Sequence, residues 1–205
     1  MRRTALFLLA ILAPSCGGTS AVLFTGRDVF DGSGRFSVVG KKDEDRIYVA
    51  DLVLGVGVKL PYAEDWEFQP TRQKPISGRS GSLLAYVTVQ SFDPGRPVEE
   101  ESFLRDEYLK NIRENHDGRG VPFADVALRK HGSHFVLEHS DEGTLPNGTR
   151  FKQYHFWSFR QLPDGVIYEA HLSTNHPGEP ERAELCENFR KILGGEFVVR
   201  PPASK

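Results

Sequence analysis

At 205 residues the chain has room for one ordinary domain with its own core and little beyond it. A formal net charge of −2, from 26 Lys and Arg against 28 Asp and Glu, excludes the clustered cationic surface that nucleic acid requires. Two cysteines, with no Cys-x-x-Cys, exclude a disulfide framework and a structural zinc site, and the residues call for no cofactor.

Residues 1–15 read as an export leader: Arg2-Arg3, then an apolar run from Ala5 to Ala13, then small residues. The run is shorter than the ~20 apolar residues a spanning helix needs. Ala13-Pro14-Ser15-Cys16 resembles the bacterial lipobox. Ser15 and Cys16 match it, Ala13 replaces the usual Leu, and Pro14 departs from it. Gly17-Gly18-Thr19-Ser20 is the small polar tether expected behind a lipidated cysteine. Ordinary signal peptidase cutting around Ser15–Gly17 is the alternative route; Cys16 is the expected acylation site, which places the protein in the bacterial cell envelope, held to a membrane and facing the periplasm or exterior. Cys186, inside a helical pattern, reads as a small buried apolar residue.

Beyond the leader, Val22-Leu23-Phe24 suggests a short strand, Phe30–Phe36 a glycine-rich loop and Lys41–Arg46 a solvated charged loop. Ala50–Phe68 reads as one strand, apolar on both faces, ended by Pro61, with Trp66 returning to the core. Ser82–Phe92 is a second strand, closed by Asp93-Pro94-Gly95. Pro97–Gly118 is the clearest helix, with Leu104, Tyr108 and Ile112 at four-residue spacing. Strands at His134–Ser140, Arg150–Arg160 and Val166–Thr174 form a meander through turns at Asn147-Gly148 and Pro163-Asp164-Gly165. A last helix near Pro180–Leu193 aligns Leu185, Phe189 and Ile192, and Glu196–Val199 is a short final strand. The predicted class is α+β, an antiparallel meander packed by helices.

This order of elements, with Val58–Trp66 ("VKLPYAEDW") between the first strands, resembles the PsbP-like superfamily, with its α/β/α sandwich and its bacterial envelope lipoproteins. The resemblance covers about residues 48–199. It implies a non-catalytic binding or assembly-accessory module with an envelope protein partner, and it carries over no catalytic residue. The chain then divides into leader 1–15, tether and extension 16–47, one domain 48–199 and tail 200–205.

Motifs for chemistry are sparse. Gly78–Ser82 ("GRSGS") lacks the last glycine of a nucleophile elbow and precedes a strand. Gly55-x-Gly57 leads to no helix, so it is no phosphate cradle. The meander offers more. If Asn147-Gly148 is a two-residue turn, Glu138 faces Trp157, Ser140 faces His155 and Leu137 faces Ser158. If Pro163–Gly165 is a three-residue loop, Trp157 faces His171 and Phe159 faces Glu169. One face then holds Phe135, Leu137, Tyr154, Phe156, Tyr168, Ala170 and Leu172, with His139 as its polar exception. The other holds Glu138, His155, Trp157, Glu169 and His171, a candidate ligand or metal face whose bland counterpart is a solvated sheet surface. A small secreted hydrolase or metal-dependent enzyme using Glu138, His155 and His171, and a lipid or small-ligand carrier, are the competing functions.

Overall fold

The computed structural model describes residues 21–30, 34–71, 73–117, 123–144 and 148–199. The leader, Cys16, Asn147 and the tail lie outside them.

Thirteen strands are described, in two antiparallel sheets. They are β1 (Val22–Leu23), β2 (Val29–Phe30), β3 (Phe36–Lys41), β4 (Arg46–Asp51), β5 (Val56–Pro61), β6 (Trp66–Phe68) and β7 (Ile76–Ser80). β8 (Ala85–Phe92), β9 (Phe123–His131), β10 (His134–Thr144), β11 (Arg150–Gln161), β12 (Ile167–Thr174) and β13 (Phe197–Val199) complete them. The larger sheet runs β1-β6-β7-β8-β12-β11-β10-β9 and the smaller β13-β5-β4-β3-β2.

Between β8 and β9 lies a helical roof: α1 (Glu100–Ser102), a wider π-wound stretch (Phe103–Tyr108) and α2 (Leu109–Asp117). Glu99 caps its start by accepting from the backbone N–H of Glu101 and Ser102. The predicted stripe of this helix faces inward. Phe103, Leu104, Tyr108 and Ile112 pack with Leu137, Phe159 and Ile167 on one face of the large sheet. The opposite face meets the small sheet and α3 (Glu179–Lys191) in the main core, which joins Phe36, Val49, Leu60, Trp66, Phe156, Leu172, Leu185 and Phe189. The layers are therefore roof, large sheet, then small sheet with α3. This is the α+β arrangement read from the sequence.

In α3, Phe189 is fully buried and meets Phe156 edge-on at 5.7 Å. The helix widens through Ile192–Glu196, where β9 crosses it. A Cβ on Gly194 would lie 2.5 Å from the carbonyl oxygen of His131, so this crossing needs glycine. Cys186 is a buried free thiol, as expected.

Several expectations change. Residues 22–47, read as an extension ahead of the domain, supply strands to both sheets: β1 pairs β6, and β3 pairs β4. The strand read over Ala50–Phe68 is interrupted by a turn at Leu52–Gly55; it ends at Pro61, as read. Asp51 builds the first turn, its Oδ1 accepting from the N–H of Val53 (3.1 Å) and Leu54 (3.0 Å). Five strands, β2, β3, β4, β7 and β9, were unread. The "GRSGS" segment is the end of β7 and its turn, and the Ser80 and Ser82 hydroxyls both donate to Asp65. At the β9 edge, Asp125 and Val126 together oppose His139, forming a bulge with Asp125 at φ 55°.

Candidate functional site

β12 places Glu169 and His171 on the face beneath the roof, and β11 lays His155, Trp157 and Phe159 beside them. Trp157 faces His171 and Phe159 faces Glu169, as predicted. The three-residue loop sets this register, closed by Gly165 donating to Leu162 with its φ at 92°. The neighbouring hairpin is different. Its last pair is Thr144 with Arg150, so five residues rather than two connect the strands and the register shifts by one. Leu137 faces Trp157, and Glu138 faces Phe156.

That shift turns β10 over. Glu138 leaves the candidate face for the opposite one. There Arg190 of α3 grips it with both Nε (3.0 and 3.1 Å) and Nη2 (2.8 Å), and His131 lies 3.3 Å away. Phe135 and Leu137 leave the main core for the face beneath the roof. His139, expected as an exception in a core face, joins His155, Trp157 and His171 instead. The histidine count in adjacent strands was the signal for it; the loop length decided its side.

The assembled site is a row of stacked rings. Trp157 lies on His171 at 3.7 Å between centroids, His171 on His155 at 5.1 Å, and His155 on His139 at 4.6 Å, with all planes within 15°. Trp157 Nε1 donates to His139 Nε2 at 3.0 Å, so that nitrogen carries a lone pair. His155 Nδ1 and His171 Nε2 are 2.9 Å apart and share one proton. His155 Nε2 lies 3.3 Å from Asp141 Oδ1, off the line of a good hydrogen bond. Placing the His155 proton toward Asp141 leaves Nδ1 to accept from the His171 N–H.

Glu169 sits at the other end of the row, buried beneath Tyr108. Burial pushes its carboxyl up to about 7, against hydrogen bonds from Tyr108 and from Gln90 Nε2 (2.9 Å) that favour the anion. Burial also drives His171 well below the ordinary imidazole range, helped by His155 and His139. It is therefore neutral at pH 7. The sequence pointed to neither Tyr108 nor Gln90 as a partner of Glu169, because both come from elements outside the meander.

The predicted face is thus an interior rather than a solvated surface: Glu169, His139 and His155 are buried. Among the described residues, no three His, Cys, Asp or Glu side chains converge as ligands of one metal ion. The crevice between roof and sheet, lined by Phe92, Phe103, Tyr108, Trp157 and Glu169, is too tight for a water molecule.

No protein-family profile matches the chain, and no curated protein matches it by sequence. Among solved structures it is similar to the solution structure of cyanobacterial PsbP (CyanoP) from Synechocystis sp. PCC 6803. That likeness covers 91% of this chain and 98% of that one, at 11% identity and a TM-score of 0.46. The likeness is one of fold alone. Among the described residues, no helix is long and apolar enough to cross a membrane.

Proposed function

We propose that the protein is a non-catalytic binding or assembly-accessory module of the bacterial cell envelope, held to its membrane by a lipid on Cys16. One observation supports the non-catalytic part. Four hydrogen bonds tie side chains of the candidate site to one another: Trp157 with His139, His155 with His171, and both Tyr108 and Gln90 with Glu169. A substrate would have to lift the roof and break these bonds before meeting the atoms that make them. Such a network fixes the position of a helix on a sheet. The working surface then lies outside it, on an envelope partner.

Two measurements test the proposal. Cys16→Ser moves the protein from the membrane fraction to the soluble one with its circular dichroism unchanged, and intact mass shows acyl chains on wild-type Cys16. A soluble wild type with an unmodified thiol overturns the anchor. Zinc added at pH 7 to the Trp66→Phe protein leaves Trp157 emission unchanged. Quenching that disappears in His155→Ala/His171→Ala would instead establish the metal-dependent reading.

A further inference from the structure

Glu169 is 4% exposed, and among the described residues no cation is set against it. An ionised carboxylate accepts about four hydrogen bonds. Two neutral donors reach this one, the Tyr108 hydroxyl and Gln90 Nε2. The elements packed around it add no countercharge. On β8 the facing residue is Gln90, on β11 it is Phe159, and from the roof Phe103 and Tyr108 come down over it. Two residues along β12, His171 is neutral and engaged with Trp157 and His155. The roof's charges pair on its outer side: Arg105 with Glu101 and Asp106, Lys110 with Glu114, and Glu107 with Arg96.

The roof is fastened unevenly. Its first turn is pinned by Glu100, whose Oε1 accepts from the Phe135 N–H at 3.1 Å and lies 3.6 Å from Arg160, while Oε2 lies 3.3 Å from His134. Phe103 and Leu104 follow, both buried. Past the π-wound stretch, α2 rests on the sheet through Leu109 and Ile112, each only partly buried. Tyr108 stands at that junction, so its bond to Glu169 is the polar fastening of the outer half. Widened helical turns of this kind recur at functional sites. While the roof is down, the crevice is too tight for water to reach the carboxylate. An ionised Glu169 is then either a half-satisfied buried charge, which is costly, or one that has lifted its cover and become hydrated.

We propose that the roof is a lid latched by a proton on Glu169: protonated Glu169 holds Tyr108 and α2 down, and its ionisation feeds a minor state in which they pivot off the sheet about Phe103–Tyr108. The open state uncovers Leu109, Ile112, Trp157 and Phe159, an apolar surface that the closed domain hides. Under the roof Glu169 ionises at about 7, against 4.5 in water. The latch therefore holds fully below pH 4.5, weakens as pH rises and is lost above 7. His171 does not line the crevice and stays covered by Trp157, so it adds no opposing slope to this opening. The device needs neither a lipid anchor nor an envelope partner, and its failure leaves the proposed function untouched.

Hydrogen–deuterium exchange of the full chain carrying Cys16→Ser, read by mass spectrometry across pH, tests the latch. Protection is taken relative to the unstructured-peptide rate at each pH, which removes the intrinsic pH dependence of exchange. Protection of the amides from Tyr108 to Asn115 falls by up to about 300-fold between pH 4.5 and pH 8, the ratio of the two ionisation constants of Glu169. In low urea these amides respond little to denaturant, as local openings do, whereas β12 amides, which exchange through global unfolding, respond strongly. Glu169→Gln, a neutral isostere whose fold circular dichroism confirms, flattens the roof's pH profile, and His171→Phe leaves it in place. A roof whose protection in the wild type does not change with pH overturns the proposal, because water then reaches the carboxylate with the roof down. A slope that survives Glu169→Gln overturns it too. So does roof protection that follows β12 at every urea concentration, since the roof then opens only with the whole domain.

Discussion

The indole of Trp157 lies flat on the imidazole of His171, 3.7 Å away with planes 6° apart. A protonated imidazole at that distance quenches indole emission, so the pair reports the charge of His171. Because burial keeps His171 neutral well below the usual imidazole range, Trp157 emission in the Trp66→Phe protein is expected to stay constant from pH 8 to below 6.5. A titration step near 6.5 in the folded protein contradicts this.

Glu169 and His171 give stability two opposing pH slopes. Glu169 has its pKa raised on folding from 4.5 to about 7, so its contribution is full below 4.5 and lost as pH rises through 7. The loss is on the order of 3 kcal/mol at most. His171 has its pKa lowered, so its contribution is present above about 6.5 and lost as pH falls. Urea unfolding of Glu169→Gln is expected to lose the first slope and leave the acid-side fall. His171→Phe, which keeps the stacking, is expected to do the reverse. Unchanged pH profiles in both variants would remove the assignment.

On the opposite face, Arg190 is the main counter-charge to buried Glu138. Arg190→Met strands the carboxylate beside His131 and is expected to cost about 3 kcal/mol. Glu138→Leu added to it is expected to recover most of that loss, since the pair's removal leaves no buried charge. If the double variant is as unstable as the single one, the arginine acts through packing over Phe156, which it covers at 5.4 Å.

Phe189 anchors α3. Phe189→Ala removes a fully buried ring from between Phe156 and the helix and is expected to cost ~3–5 kcal/mol in chemical denaturation. A change within error would mean that α3 does not hold the two sheets together.

The roof and the floor of the site were each legible, but not their meeting. Leu104, Tyr108 and Ile112 announced an apolar helix stripe, and the alternation of β11 and β12 announced a face rich in His, Trp and Glu. Nothing in either pattern says that one covers the other, because an exposed polar face and a buried, internally bonded one alternate identically. The β11–β12 register was readable because Pro163-Asp164-Gly165 admits few geometries. The β10–β11 register was not, because a longer loop can close on either parity and parity alone decides which face receives Glu138. Strand β3 was missed because its pairing partner, β4, is defined only once the sheet assembles.

The bulge on β9 bears on life at high surface density. Proteins tethered to one membrane meet edge to edge far more often than in free solution, and a bare strand rim invites them to zip together. Here the rim is broken where Asp125 and Val126 share a single partner, and the Asp125 carboxylate turns back to Ser140 and Lys152. Arg129 and Lys130 follow along the same rim. A neighbour docking there meets a kink and then like charge. Copies of this domain that meet edge to edge are therefore kept from zipping together along this rim.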